Sequence, residues 1–130
     1  MTRFSFQWLA VFAAFSLLSV AALAQTSGPS AQSSLGVTPT VVSAGGTVTV
    51  FGSITNTSSK VEKVTVNYDV VGPCNYTDNY QVKLTLRPGE TRTSSNSYTA
   101  PNCAGDYTIT ATATSGGTFL DTKSATFTVQ

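Results

Sequence analysis

The chain has 130 residues and a mass of 13.5 kDa, which suffices for one modest domain and is too little for two well-filled ones. Seven basic and six acidic residues give a formal net charge of +1, so the basic surface that attracts nucleic acid or anionic lipid is missing. Histidine is absent, and with it the side chain most often used as a general base or zinc ligand. The composition therefore argues against nucleic-acid binding and against most catalytic templates.

Residues 1–24 have the pattern of a secretory signal peptide. Arg3 supplies the positive start, an apolar run over residues 8–20 follows, and the segment ends in Ala22-Leu23-Ala24, a small-x-small cleavage pattern. The alternative is an uncleaved anchor helix, which the shortness of the apolar run disfavours. We expect cleavage after Ala24, a secreted or periplasmic protein, and no membrane insertion of the cleaved chain.

Residues 25–34 (QTSGPSAQSS) are small and polar. Such a segment lacks the apolar side chains that would offset the entropy of ordering it, so we expect a flexible linker there. The folded domain is predicted to cover residues 35–130.

Within residues 35–130, apolar and polar side chains alternate, with turn residues about every ten positions. A period of two is typical of half-buried strands, and the helical period is missing. The pattern predicts an all-β domain, a seven-stranded antiparallel sandwich. Four strands carry the predicted inward rows, which are Val48, Val50 and Ile54; Val64, Val66, Tyr68 and Val70; Tyr80, Val82, Leu84 and Leu86; and Tyr107, Ile109, Ala111 and Ala113.

Two of the other three strands contain a residue that a central strand would not favour. The strand predicted at residues 35–42 contains Pro39, which cannot donate to a central ladder and so indicates an edge strand. In the strand predicted at residues 91–99, Asn96 stands where an inward apolar residue is expected.

The last predicted strand, Thr118 to Val129, changes parity, which indicates a bulge near residues 121–123. The sequence Arg87-Pro88-Gly89-Glu90 fits a type II turn, because glycine tolerates the positive φ that this turn requires. Two longer loops are predicted at residues 72–79 and 100–105, and each contains one cysteine.

Cys74 and Cys103 are the two cysteines of the chain. In an exported small domain such a pair is usually a disulfide, and in seven consecutive strands the two loops that carry them emerge at the same end. The alternatives are a redox pair or a metal site, but the spacing is not vicinal and zinc needs about four ligands. We expect a structural disulfide.

Three stretches resemble bacterial immunoglobulin-like and fibronectin-III-like modules, including the cell-adhesion-related domain found in bacteria: Val48 to Asn56, Leu86 to Glu90, and Ala104 to Ile109. The resemblance covers roughly residues 35–130 and implies an immunoglobulin-like sandwich. Tyr107 resembles the tyrosine corner, whose hydroxyl bonds to backbone. The resemblance implies a secreted module that spaces, binds or adheres.

Asn75 to Tyr80, beside Cys74, is the segment most suggestive of recognition. Tyrosine rings flanked by amides are used to bind sugars and proteins, and parity places Tyr80 inward, which leaves Tyr76 as the exposed ring. Asn75, Tyr76 and Asp78 are therefore candidate ligand-binding residues. The structural alternative is that Tyr76 covers its own loop.

The six acidic residues do not indicate catalysis, since a sandwich of this size offers little cleft in which two carboxylates could face each other. Asp78 and Asp106 are expected near the cysteine end and could join carbonyl groups around calcium, although no EF-hand pattern is present. We expect no catalytic residue, metal or cofactor. The preferred function is a non-catalytic binding or adhesion module for a protein or glycan of the cell envelope, acting through loops or by strand addition, and the alternative is a carbohydrate-binding module.

Overall fold

The computed structural model describes residues 30–130, so the predicted signal peptide and the first five residues of the predicted linker lie outside the described residues. The described chain forms eight strands. They are β1 (Ala31–Thr38), β2 (Val41–Val42), β3 (Thr47–Asn56), β4 (Glu62–Gly72), β5 (Tyr76–Leu86), β6 (Thr91–Thr99), β7 (Gly105–Ser115) and β8 (Thr118–Val129).

The strands form two sheets, one with the order β1-β3-β6 and one with the order β2-β8-β7-β4-β5. All neighbouring strands are antiparallel except β2 and β8, which run parallel. Residues 30–130 contain no helix, and the predicted all-β sandwich is confirmed.

The N-terminal strand differs from the prediction in two ways. β1 begins at Ala31, inside the predicted linker, because residues 31–34 pair with β3 through their backbones and need no apolar side chains for that. The strand predicted at residues 35–42 is divided at Pro39, where the chain leaves the three-stranded sheet and enters the five-stranded one as β2. Seven predicted strands thus become eight, and β1 and β2 are each an edge strand.

The loop predicted at residues 72–79 is a tight hairpin instead. Gly72 is already paired with Tyr76, and the turn between them places Cys74 and Asn75 at positive φ (61° and 56°). Asparagine tolerates this region comparatively well, and such a turn matches the twist of the two strands. The predicted recognition loop is therefore mostly strand β5.

Two local predictions concern turns and bulges. Gly89 has a φ of +77°, and the Glu90 N–H donates to the Arg87 carbonyl at 3.0 Å, as a type II turn requires. In β8 the register shifts so that Leu120 is the extra residue, just before the range predicted for a bulge.

The core between the sheets is divided into two clusters. One, at the cysteine end, includes Tyr107 and Phe127, and the other, at the opposite end, includes Ile54 and Leu86. The predicted inward rows of β3 and β7 are buried, whereas that of β5 is buried only at Leu86.

The two clusters are separated by a layer with little side-chain volume, the thin layer. Gly52 of β3 and Ser94 of β6 are paired there, and neither carries a bulky side chain. Leu35 and Tyr68 are half-buried and pack against both clusters. The space between the two sheets is consequently not filled to native packing density at this level.

Tyr107 is completely buried in the cluster at the cysteine end. Its ring stacks on Phe127 with 5.2 Å between centroids, and Tyr76 meets it edge-on at 5.6 Å. Its hydroxyl donates to the Cys103 carbonyl at 2.6 Å. The phenol thus ties the start of β7 to the connection that precedes it.

Tyr107→Phe is expected to lower the free energy of unfolding by about 1 kcal/mol, because it removes this hydrogen bond and leaves the Cys103 carbonyl without it. Urea unfolding measures the loss, and Tyr80→Phe, at an exposed position, is the matched control. An unchanged midpoint for Tyr107→Phe would contradict a structural role for the hydroxyl.

Asp121 of β8 holds the N-terminal strand to the other sheet. Its carboxylate accepts the Ser33 N–H at 2.8 Å and the Ser33 hydroxyl at 2.9 Å, and it pairs with the Lys123 ammonium at 3.2 Å. Burial by itself would raise the pKa of Asp121, but the hydrogen bonds from Ser33, Lys123 and the Thr122 N–H together lower it below the usual 3.8.

Asp121→Asn is expected to lower the free energy of unfolding at neutral pH by about 1 kcal/mol, as the charge-assisted bonds to β1 are lost. Because the folded pKa is depressed, the contribution of the carboxylate is fully present above pH 3.8 and disappears as the pH falls through the folded pKa. Urea unfolding from neutral pH down through that range should therefore show the wild type and the variant converging in acid. Asp69→Asn, on the exposed face of β4, is the control for replacing an aspartate, and parallel profiles for wild type and Asp121→Asn would contradict the assignment.

Candidate functional site

The two sheets are closed together on one side and open on the other. On the closed side, β1 is joined to β8 through Ser33 and Asp121. On the open side, β5 and β6 are the edge strands of their sheets, and they are not hydrogen-bonded to each other as strands. The result is a groove between β5 and β6.

This β5–β6 groove has an apolar floor and a small polar wall. A cavity of about 320 Å³ lies in the thin layer at Gly52 and Ser94. A second cavity of about 390 Å³ lies next to it, toward the cysteine end, and Val82 and Asn96 line both cavities. Residues of the five-stranded sheet that line the groove are Val66, Val70, Tyr68, Tyr80, Val82, Leu84, Ile109, Ala111 and Ala113, and β6 contributes Arg92, Ser94, Asn96 and Tyr98.

Side-chain bridges from β6 to β5 mark the two ends of the groove. At one end the Arg92 guanidinium donates to the Thr85 carbonyl at 3.3 Å. At the other end the hydroxyls of Tyr98 and Tyr76 are hydrogen-bonded to each other. From Arg92 to Tyr98 is six residues, or about 20 Å of extended strand.

Charge in the groove is confined to its ends. Arg92 is paired with Glu90, with 2.9 Å between the guanidinium and the carboxylate. Asp78 lies on the same face of β5 as Tyr80. Its carboxylate accepts only the Asn79 N–H and forms no ion pair within residues 30–130. The middle of the groove is uncharged.

Two tyrosines of the groove, Tyr80 and Tyr98, have a raised pKa. Burial is the main cause that raises the pKa of Tyr80 above 10, followed by neighbouring Tyr68 and Asp78. Burial also raises the pKa of Tyr98, and the hydrogen bond with Tyr76 adds to it. These phenols therefore act as hydrogen-bonding groups and apolar surfaces at neutral pH.

The predicted ligand-binding residues are placed differently from the expectation. Tyr76 is half-buried, with its hydroxyl on Tyr98 and its ring against Tyr107, so it covers its own end of the domain. Tyr80 is the exposed ring, at 38%, and stacks on Tyr68 with 4.7 Å between centroids. Parity placed Tyr80 on the inner face correctly, but that face is uncovered at this point, and the expectation that Tyr76 is the exposed ring was wrong.

Asn75 and Asp78 do not form a site with Tyr76. Asn75 lies exposed in the hairpin turn, and Asp78 lies exposed in β5. Asp78 is paired with buried Val70 and so faces the inner side of its sheet, whereas Asp106 accepts the Thr128 hydroxyl on the outer side. The two carboxylates do not converge, so the arrangement needed for the calcium hypothesis is not formed.

Cys74 and Cys103 form a disulfide, with 6.4 Å between their Cα atoms. Cys74 lies in the β4–β5 hairpin and Cys103 in the connection between β6 and β7. The predicted disulfide is therefore formed, and it fastens one end of the five-stranded sheet to the chain arriving from the other sheet.

Among residues 30–130, no group of three or more potential metal-ligating side chains comes together. The same part of the chain has no helix long and apolar enough to cross a membrane.

The residues that create the groove carried little signal of their own. Asn96 stood out as polar at an inward position, but Gly52 and Ser94 did not. To find two paired positions that both lack a bulky side chain, one must know that β3 pairs with β6, and only the fold supplies that pairing.

Comparison by sequence found neither a matching family model nor a curated relative. Solved structures are similar in fold. The CARDB domain of a Pyrococcus furiosus protein, solved in complex with di-metal ions, matches with a TM-score of 0.61 and 14% identity over 82% of this chain and 95% of that one.

Two other similar structures are larger proteins. The DNA glycosylase AlkC of Pseudomonas fluorescens matches with a TM-score of 0.62 and 16% identity over 80% of this chain and 31% of its own. A β-glucosidase of Erythrobacter marinus matches with a TM-score of 0.62 and 13% identity over 78% of this chain and 16% of its own. The chain thus spans less than a third of these two proteins, and at such identities the likeness is one of fold: an immunoglobulin-like sandwich similar to a CARDB domain over nearly that domain's whole length.

Proposed function

We propose that the protein is a secreted non-catalytic binding or adhesion module of the bacterial cell envelope or exterior, and that the β5–β6 groove is its binding surface. The observation that carries the proposal is the groove itself. A folded domain buries its apolar side chains where it can, yet Tyr80, Val82 and Leu84 line an open space in the described chain.

Two features support export. Residues 1–24 have the pattern of a signal peptide, and the disulfide between Cys74 and Cys103 is of the kind that persists in oxidising compartments. The binding role is supported by the resemblance of the sequence to cell-adhesion-related modules, together with a fold similar to a CARDB domain over nearly that domain's whole length.

The test compares two neighbouring serines of β6. Ser94→Phe places a ring in the groove, whereas Ser95→Phe places the same ring on the other face, opposite Phe51 of β3. The exported protein, purified after expression of the full chain, is incubated with envelope fractions of its source cells. We expect the wild type and Ser95→Phe to be retained and Ser94→Phe to be at least tenfold weaker.

Two results would contradict the proposal. Absence of retention for the wild type would argue against an envelope-binding module. Equal retention of both variants would move binding away from the groove.

Carbohydrate is the second candidate ligand. The specific observation in its favour is Tyr80, whose exposed ring is backed by Tyr68 and faces the amide of Asn96 across the groove. Binding on a polysaccharide array that Tyr80→Ala abolishes and Tyr76→Phe preserves would favour this reading. No binding on the array would leave protein as the ligand class.

A further inference from the structure

Building on the proposed function, we infer that the β5–β6 groove takes one extended peptide segment of a partner protein, added as a strand along the free edge of β6. Its inward side chains are uncharged and apolar in the middle, with a basic residue at the Asp78 end.

The first argument is the free backbone. β6 pairs only with β3, so among residues 30–130 its other edge, nine residues long, presents N–H and C=O groups without a strand partner. Such an edge is a template for an added strand, and it is not shielded by proline or by a described neighbouring strand.

The second argument is the shape of the groove. The thin layer at Gly52 and Ser94 is bordered by Val66, Val82 and Ala111, so a side chain arriving opposite Ser94 would meet apolar walls. A second inward position, opposite Asn96, lies over Val82 and Tyr80. Two side chains that are two residues apart along a strand match this spacing.

The third argument is charge complementarity. Arg92 already has Glu90 as its partner, and the lining between Arg92 and Tyr98 is uncharged, so a charged side chain entering there would lack a counter-ion. Asp78 is exposed and has no ion-pair partner in the described chain. A lysine or arginine at that end of the incoming strand would supply one.

A second copy of the chain does not fit this description. The inward residues of β6 are Arg92, Ser94, Asn96 and Tyr98. The first three are polar, and Tyr98 is already engaged by Tyr76 and Phe127 of its own chain, so a copied β6 would bring no free apolar side chain into the groove. The inward residues of a copied β5 already line its own groove. The occupant is therefore a segment of a different protein.

The probe is the capped peptide Lys-Thr-Val-Thr-Leu-Thr-Ser. When this peptide pairs antiparallel with β6, its lysine lies near Tyr98 and Asp78 and its leucine lies opposite Ser94. Binding to the exported protein is measured by NMR titration. We expect shifts along β6 and the groove floor, at least tenfold weaker binding to Ser94→Phe, and unchanged binding to Ser95→Phe.

Strand addition is tested separately with two singly N-methylated peptides, one modified at the leucine and one at the threonine before it. Neighbouring residues of an extended strand point their N–H groups to opposite edges, so one modified peptide should bind at least tenfold more weakly and the other should bind like the parent. Equal affinities would overturn strand addition, even if the side chains do enter the groove.

Charge is tested by Asp78→Asn with the parent peptide and with a peptide whose lysine is replaced by norleucine. We expect Asp78→Asn to weaken the parent peptide severalfold and to leave the norleucine peptide unaffected. The same loss for both peptides would refute the ion pair.

The outcomes separate this inference from the proposed function. Groove-dependent retention on the envelope without binding of the peptide would overturn the peptide inference and leave the proposed function standing. Dimerisation of the pure protein that Ser94→Phe abolishes would identify a second copy as the occupant, and polysaccharide binding that Ser94→Phe abolishes would identify a glycan. Either result would also overturn the peptide inference.

Discussion

Replacing both Cys74 and Cys103 with serine is expected to lower the free energy of unfolding by about 3.6 kcal/mol. The bridge joins residues 29 positions apart, and closing a loop of that length removes a corresponding entropy from the unfolded chain. The effect is a large share of the stability of a small domain, which is typically about 5–15 kcal/mol.

Denaturant unfolding of the exported double variant measures this loss. Wild-type protein unfolded in the presence of reductant serves as the control, because it lacks the same cross-link without a change in sequence. The two should agree, and both should unfold at lower denaturant than the oxidised wild type. An unchanged free energy of unfolding would contradict a stabilising role for the bridge.

Gly72→Ala is expected to lower the free energy of unfolding by about 2 kcal/mol, since overpacking a filled core costs about 1–3 kcal/mol. A Cβ at Gly72 would overlap the ring of Tyr107. That ring is fully buried between the face of Phe127 and the edge of Tyr76, and its hydroxyl is bonded to backbone, so it has no room to move away.

Gly36→Ala is the matched control. A Cβ there also meets an aromatic ring, that of Phe51, but Phe51 is 44% exposed on the outer face of its sheet and can rotate into solvent. We expect a cost below about 1 kcal/mol for this variant. Equal costs for the two substitutions, measured by urea unfolding, would show that the packing of Tyr107 does not set the penalty.

The groove is open and apolar because the two core clusters are separated from each other. Filling the layer between them with Ser94→Phe should remove the binding surface while adding buried apolar contact, so loss of function and loss of stability need not coincide. An open apolar groove is in this respect a cost to stability that a binding function would explain.

Alternation in the sequence determined most of the architecture. Val64 and Val66 in β4 and Tyr107 and Ile109 in β7 are buried as their period of two requires, and the turn at Arg87–Glu90 follows from glycine at the position of positive φ. The pairing of the cysteines also followed from the order of the strands, because alternate connections of a sandwich emerge at the same end.

Periodicity was insufficient where the outcome depended on a neighbouring strand. Ala31 to Ser34 have linker composition but form strand, because β3 offers them a backbone ladder and Asp121 offers Ser33 a partner. Likewise, parity states which face of the sheet Tyr80 occupies and says nothing about whether that face is covered.

The sequence by itself determined the fold class, the inward rows, the turn at Arg87–Glu90 and the disulfide of this protein, because each of these depends on residues close in the chain or on simple strand order. The tertiary structure decided that β5 and β6 are both edges and that Gly52 meets Ser94, since these depend on which strands become neighbours across large sequence separations. The candidate site depends on these long-range neighbours. For the same reason the exposed tyrosine is Tyr80 and not Tyr76.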